Sequence, residues 1–305
     1  MAGRLLMRFS SLHTHSIYCD GSDEIETICR SAFEKGLVSL GFSSHAPLSL
    51  CRNTAREVPD TVWHMKAEKL PAYLAEIEEA RKRWAGKLDI YSGFEADYME
   101  GFASPAELRR RFPGLDYIIG SVHYLVPSGG AYFTVDGPLE ETERGFREGF
   151  GGDGGAFIEK YWDAVEEMIG EGGFDILGHV DLLKKNNGKG RFFDPEDERC
   201  LRRAGEIAGS ALKAGIVVEV NTGGIIRGSI PETYPSVKIL RFFREAGVPA
   251  LITADAHRAE DLDGHYGIAL QALREAGYRE HVLFQGRRNG KALWKPEALG
   301  ACCTC

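Results

Sequence analysis

The sequence predicts an α/β fold built on a parallel sheet or barrel, and three observations predict it. Apolar β-type runs alternate with helix-period runs along the whole chain. Several of the β-type runs are nearly all apolar, such as Ile216-Val217-Val218 and Ala250-Leu251-Ile252, which suits strands covered on both faces. Start and stop signals for helices fall between them.

The strand candidates are 7–13, 38–43, 88–95, 117–123, 174–179, 216–221, 250–255 and a weaker 282–284. Between them, Tyr73, Ile77, Ala80 and Trp84 recur at helical spacing, and Leu201, Ala204, Ala208 and Leu212 repeat one face of another helix. Asp194-Pro195 reads as an N-cap followed by proline at the first helical position, and Gly215 as the stop. Pro235 and Gly247 bracket the next helix in the same way. The stretch 124–157, with Gly129-Gly130 and Gly151-Gly152-Asp153-Gly154-Gly155, reads as a long irregular loop that covers a site.

Composition bounds the partners. The chain has 305 residues, 37 Lys+Arg and 45 Asp+Glu, for a net charge of −8, which argues against a non-specific grip on nucleic acid. No apolar run is long enough to span a membrane, and the Leu5-Leu6 pair is too short for a signal-peptide core. Seven Cys, an odd number, do not form a disulfide framework, so a cytoplasmic protein with reduced thiols is expected. Cys302, Cys303 and Cys305 crowd the C-terminus, which reads as a mobile tail.

The informative pattern is where the apolar strands end. The first ends in His13-Thr14-His15, with Asp20 five residues on; the second is followed by His45; the third ends in Glu95, with Asp97 nearby. The fourth ends in His123 and the fifth in His179. The sixth carries Glu219 and Asn221, with Arg227 just beyond, and the seventh ends in Asp255 and His257. The C-terminal edge of a parallel sheet is where chemistry collects. A lone strand-end His is usually structural, but six His, two Asp and one Glu on separate strand ends have no packing reason to share an edge. Neutral imidazole and carboxylate suit Zn, Mn and Fe. Nine candidates exceed what one ion takes, so two or three divalent ions with a shared carboxylate are expected. Such sites suit phosphate-ester hydrolysis. His64, His265 and His281 fall in helix or loop contexts and are set aside.

The set His13 to His257 resembles the polymerase-and-histidinol-phosphatase (PHP) superfamily. Within it, H-T-H-S-x-x-C-D around His13, S-S-H-A-P around His45 and G-F-E-A-D-Y around Glu95 are similar to the histidinol-phosphate phosphatases, and the later G-S-V-H, L-G-H-V-D-L and E-V-N-T stretches agree. The resemblance implies a distorted (β/α)7 barrel over 1–300, with 301–305 as the tail and 282–284 peripheral. It implies three metal positions: His13, His15, Glu95 and Asp255; Glu95 with His123 and His179; and Asp20, His45 and His257. The implied reaction is hydrolysis of L-histidinol phosphate, a small phosphorylated substrate, by a metal-bridged hydroxide, as a step of histidine biosynthesis. Glu95, Asp255 and Arg227 are the expected catalytic residues. Arg227 and Lys184 or Lys185 are expected to grip the phosphate. Asp97, Tyr98 and Tyr124 are candidates for the ammonium and imidazole of the substrate, and Asp97 also for the general acid. Another phosphoesterase on the same site, acting on a nucleotide, an oligonucleotide end or phosphotyrosine, is the alternative. A C–N hydrolase is disfavoured because no predicted strand ends in lysine. A binding module with a vestigial site is disfavoured because the ligand set has no gap.

Overall fold

The computed structural model describes residues 7–50 and 62–300. Seven parallel strands form one sheet in the order β1 (Ser10–Ser11), β2 (Ser39–Phe42), β3 (Asp89–Asp97), β4 (Tyr117–Ser121), β7 (Ile176–Leu177), β8 (Val217–Asn221) and β9 (Ala250–Thr253). Every residue of β2, β4, β8 and β9 is buried, which is why these segments read as continuous apolar runs. The sheet curls until its first and last strands meet. There the His15 amide donates to the Ala256 carbonyl at 2.8 Å and the Ala256 amide to the His13 carbonyl at 3.0 Å. The result is a nearly closed, distorted α/β barrel, as the family resemblance implies.

Helices α1 (Ile25–Glu34), α2 (Leu70–Arg83), α3 (Pro105–Arg111), α5 (Gly154–Glu171), α6 (Glu198–Ala214), α8 (Val237–Ala246) and α9 (Tyr266–Ala276) wrap the outside, and α7 (Gly223–Ile226) is a single turn after β8. Asp153, Asp197 and Ser236 cap three of them through their side chains. Gly215 and Gly247 end α6 and α8 in the left-handed conformation.

Inside the barrel Leu12, Tyr117, Ile119, Ile176, Val217 and Leu251 pack together. The hairpin β10 (Glu280–Arg288) and β11 (Lys291–Ala298) plugs the N-terminal end with Val282 and Phe284. The Phe284 ring sits edge-on to Tyr91 and Tyr117, at 4.8 and 5.7 Å. The Tyr117 hydroxyl donates to the Leu12 carbonyl at 2.6 Å across the interior. Arg287 from the plug meets Asp175, which Arg109 also holds at 2.7 Å. The weak strand at 282–284 thus lies within the first strand of a longer hairpin.

Three local expectations change. The 124–157 stretch is ordered: it forms the hairpin β5 (Tyr124–Leu125) and β6 (Phe133–Thr134), then α4 (Leu139–Phe150), then the start of α5. Helix α6 begins at Glu198 rather than beside Pro195, because the Asp194 carboxylate accepts from the Glu196 amide in a turn and Asp197 becomes the cap. Its inner face is Cys200, Ala204, Ile207, Ala208 and Ala211, which leaves Leu212 47% exposed. The C-terminal cysteines lie outside the described residues.

Candidate metal centre

The strand-end residues converge at the C-terminal mouth of the barrel. His13 Nε2 lies 3.2 Å from Glu95 Oε2 and 3.6 Å from Asp255 Oδ1, and His15 Nε2 lies 3.5 and 3.2 Å from the same two oxygens. Each of these imidazole nitrogens thus faces both carboxylate oxygens at 3.2–3.6 Å, the mix of donor types that divalent ions such as Zn take. Both Nε2 atoms are buried without a hydrogen-bond partner. A buried orphan of that kind is costly unless an ion fills it. The donor set therefore fits a divalent metal.

Glu95 faces two ways. Its Oε2 points at His13, His15 and, 3.2 Å away, His45 Nδ1. Its Oε1 lies 3.5 Å from His123 Nε2 and 2.9 Å from His179 Nε2, and accepts from the Ser121 hydroxyl at 2.7 Å. The third group is looser and more open: Asp20 Oδ2 lies 3.1 Å from His257 Nε2 and 4.0 Å from His45 Nε2. The other Asp20 oxygen is 3.2 Å from His15 Nδ1.

Electrostatics keep the carboxylates charged. Burial opposes ionisation of Glu95, but His45, His13 and His123 outweigh it and hold its carboxyl well below the usual range. Burial also opposes the charge on Asp255, where Arg227 and His13 outweigh it. Burial pulls His45 down to about 4 against Glu95 and Asp20, so its imidazole is neutral near pH 7, the ligand form. For His123 burial loses to Asp97 and Glu95, which push it up to about 10. Metal binding there would compete with that proton.

Supporting residues orient the ligands. Glu219 Oε2 accepts from His13 Nδ1 at 2.9 Å and from the Thr253 hydroxyl at 2.8 Å; its Oε1 accepts from the His179 amide at 2.6 Å and from Asn221 at 3.0 Å. With its Nδ1–H bound to Glu219, His13 offers Nε2 to the site. Asp97 is used the same way. One of its oxygens meets His123 Nδ1 and the other His64 Nε2.

A cavity of about 300 Å³ opens above this floor, lined by Asp20, His45, Glu95, His123, His179, Asp255 and His257, and by Trp63, Asp136, Gly137, Lys185 and Arg227. Arg227 Nη2 donates to Asp255 Oδ2 at 2.7 Å and Nη1 to the Asp255 carbonyl at 3.0 Å, which leaves Asp255 Oδ1 for the metal group. A side chain at Gly223 would put its Cβ 2.7 Å from Arg227 Nη2, so glycine permits this contact.

Other candidates lie off the cavity. Lys184 binds the Thr233 carbonyl and Asp181, each at 2.8 Å, beside a separate cleft of about 460 Å³ near the start of α8. The Tyr98 hydroxyl donates to Glu167 at 3.0 Å. Tyr124 is buried against Trp63 and His64. Asp97, with both oxygens held by imidazoles, has no place against a substrate and no proton to give a leaving group. His265 is exposed, and His281 stacks on Phe9, away from the mouth. Sequence reasoning missed Trp63 and Asp136, set His64 aside, and noted Glu219 without giving it a role. The only sequence signal among them was Glu219, two residues before Asn221 on an otherwise apolar strand.

A parallel barrel whose mouth gathers imidazoles and carboxylates around a shared glutamate defines a barrel protein with a divalent-metal site. The chain belongs to the PHP domain family, whose model matches residues 11–223. It is 31% identical over 277 residues to a Deinococcus radiodurans protein named "Probable histidinol-phosphatase", covering 90% of this chain and 96% of that one. Among solved structures it resembles hisK from Listeria monocytogenes, with a TM-score of 0.73 and 24% identity over 85% of this chain and 98% of that one. It also resembles histidinol phosphate phosphatase from Lactococcus lactis, solved with Zn, L-histidinol and phosphate, with a TM-score of 0.64 and 18% identity over 93% and 100% of the two chains.

Proposed function

We propose that this chain is a metal-dependent phosphatase that hydrolyses L-histidinol phosphate to L-histidinol and phosphate, as a cytoplasmic step of histidine biosynthesis. The observation that carries the reading is Glu95, set between two groups of imidazoles on the floor of a small cavity with cationic side chains at its wall. The names of the relatives supply the substrate. A cavity near 300 Å³ suits a small phosphomonoester rather than a polymer.

Two or three divalent ions are proposed, of Zn, Fe or Mn. His13, His15, Glu95 and Asp255 would hold the first, Glu95, His123 and His179 the second, and Asp20, His45 and His257 the third. Such ions lower the pKa of bound water and offset charge on phosphate oxygens. The chain's own groups do the rest. Glu95 holds the two inner groups in register. Glu219 and Asp97 fix the His13 and His123 rings. Arg227 offers the phosphate the N–H donors that Asp255 leaves free, and Lys185 adds a point charge.

The test is phosphate release from L-histidinol phosphate, a nucleoside monophosphate and phosphotyrosine, with and without a chelator. Selective, chelator-sensitive release from the first is expected. Equal rates on all three would overturn the substrate, and full activity in chelator would overturn the metal.

A further inference from the structure

A cavity lined only by metal groups, Arg227 and Lys185 would welcome any phosphate and repel the ammonium of histidinol phosphate. Two lining residues run against that character. Among the described residues, Asp136 is the one lining carboxylate outside the proposed metal groups, and Trp63 is the one lining aromatic ring other than imidazole. We propose that Asp136 and Trp63 form the subsite for the alcohol half of the substrate, with the Asp136 carboxylate taking the ammonium and the Trp63 indole stacking on the imidazole. The proposal rests on the functional reading above and adds the source of its selectivity.

Both residues are anchored to the β5–β6 hairpin. Asp136 follows β6 by two residues, in a segment pinned from several sides. The Val135 amide donates to the His123 carbonyl at 2.9 Å, so the segment is tied directly to a metal-group residue. Asn186 Nδ2 donates to the Gly137 carbonyl at 3.0 Å, and the Thr134 amide donates to Glu141 at 2.8 Å. A Cβ at Gly137 would come 2.1 Å from the Thr134 hydroxyl, so glycine permits this close turn. Lys185 Nζ lies 3.2 Å from Asp136 Oδ2. That contact engages one oxygen and stations the lysine beside the carboxylate, where it can serve the phosphate. Trp63 stacks on Tyr124 of β5, with centroids 6.3 Å apart and planes at 27°, and packs with Met99, Val126 and Tyr132. A carboxylate–ammonium contact is a charge-assisted hydrogen bond, and an indole face favours a flat, partly cationic ring. Both are fixed in place before the ligand arrives, so little ordering cost offsets them.

The experiment compares three phosphomonoesters: L-histidinol phosphate, its analogue lacking the amine, and O-phosphoethanolamine, which keeps the amine and lacks the ring. Asp136→Asn should lower kcat/KM roughly 10- to 100-fold on the two amine-bearing esters, mainly through KM, and much less on the deamino analogue. Trp63→Ala should show the complementary pattern, with the larger losses on the two ring-bearing esters. Asp136→Glu should recover part of the loss, because the charge returns. A merely structural role would lower all three rates by one factor, and that result overturns the proposal while leaving the functional reading intact. Calorimetric binding of L-histidinol to the metal-loaded protein gives a second readout: Asp136→Asn should weaken it at least about tenfold, and unchanged binding would also overturn the subsite. If the unsubstituted protein itself shows no preference for histidinol phosphate over O-phosphoethanolamine, the functional reading fails instead.

Discussion

The two ends of the barrel use the same acidic side chains in opposite ways. At the N-terminal end Asp175 is held by Arg109 and Arg287, and Asp116 by Arg81 at 2.5 Å, around a plug of Phe284, Tyr91 and Tyr117. At the C-terminal end Glu95 and Asp255 face His13 and His15, whose Nε2 atoms have no hydrogen-bond partner. A guanidinium stays protonated, consumes carboxylate oxygens and offers no lone pair. An imidazole can give up its proton and offer one. The choice of cation therefore decides which end is sealed and which can take an ion. Arg227 fits the rule, because it occupies only one Asp255 oxygen and stands at the wall of the cavity.

That contrast can be broken at either end. The largest effect is expected from Glu95→Gln, which removes the shared carboxylate. Phosphate release should fall to background and bound metal per chain should drop, while retained activity would mean that the two inner groups act separately. Next comes Phe284→Ala in the plug. Phe284 is fully buried, and its loss should cost about 3–5 kcal/mol. Urea unfolding should show that loss with kcat/KM unchanged where the protein stays folded; a matching fall in kcat/KM would show that the ends are coupled. Glu219→Gln should weaken metal affinity roughly 10- to 100-fold by unsettling His13, as read by competition with a metal indicator. Equal affinity would reduce Glu219 to a packing role. The smallest effect is expected from Arg227→Ala, with KM raised roughly tenfold at similar kcat. A fall in kcat at constant KM would instead assign Arg227 to holding Asp255.

The same contrast explains what was legible in the sequence. Metal ligands come from a short list of residue types, and a parallel barrel delivers strand ends to one mouth, so His13, Glu95, His179 and Asp255 could be singled out without coordinates. The supporting contacts could not. Glu219 meets His13 across 206 positions and Asp97 meets His64 across 33, and nothing local announces either pairing. Trp63 and Asp136 reach the cavity through the β5–β6 hairpin, inside a stretch whose glycines suggested an irregular loop. Helix α4 did carry signals there, with Pro138 before its first turn and Gly151 in the left-handed cap at its end. The plug was also announced: Asn289 and Gly290, with φ of 52° and 76°, form the tight turn between β10 and β11. The alternating pattern of β11 was too polar to stand out as a strand.

The meeting of β1 and β9 has one more consequence. Backbone pairing there is limited to the residues around Thr14 and Ala256, and those residues lie between His13 and His15 on one side and Asp255 and His257 on the other. An ion shared by His13, His15 and Asp255 would clasp the start of the chain to its last barrel strand. Loading the centre would then complete the hoop as well as equip it, and amides flanking this join should exchange fastest with solvent when the protein is stripped of metal.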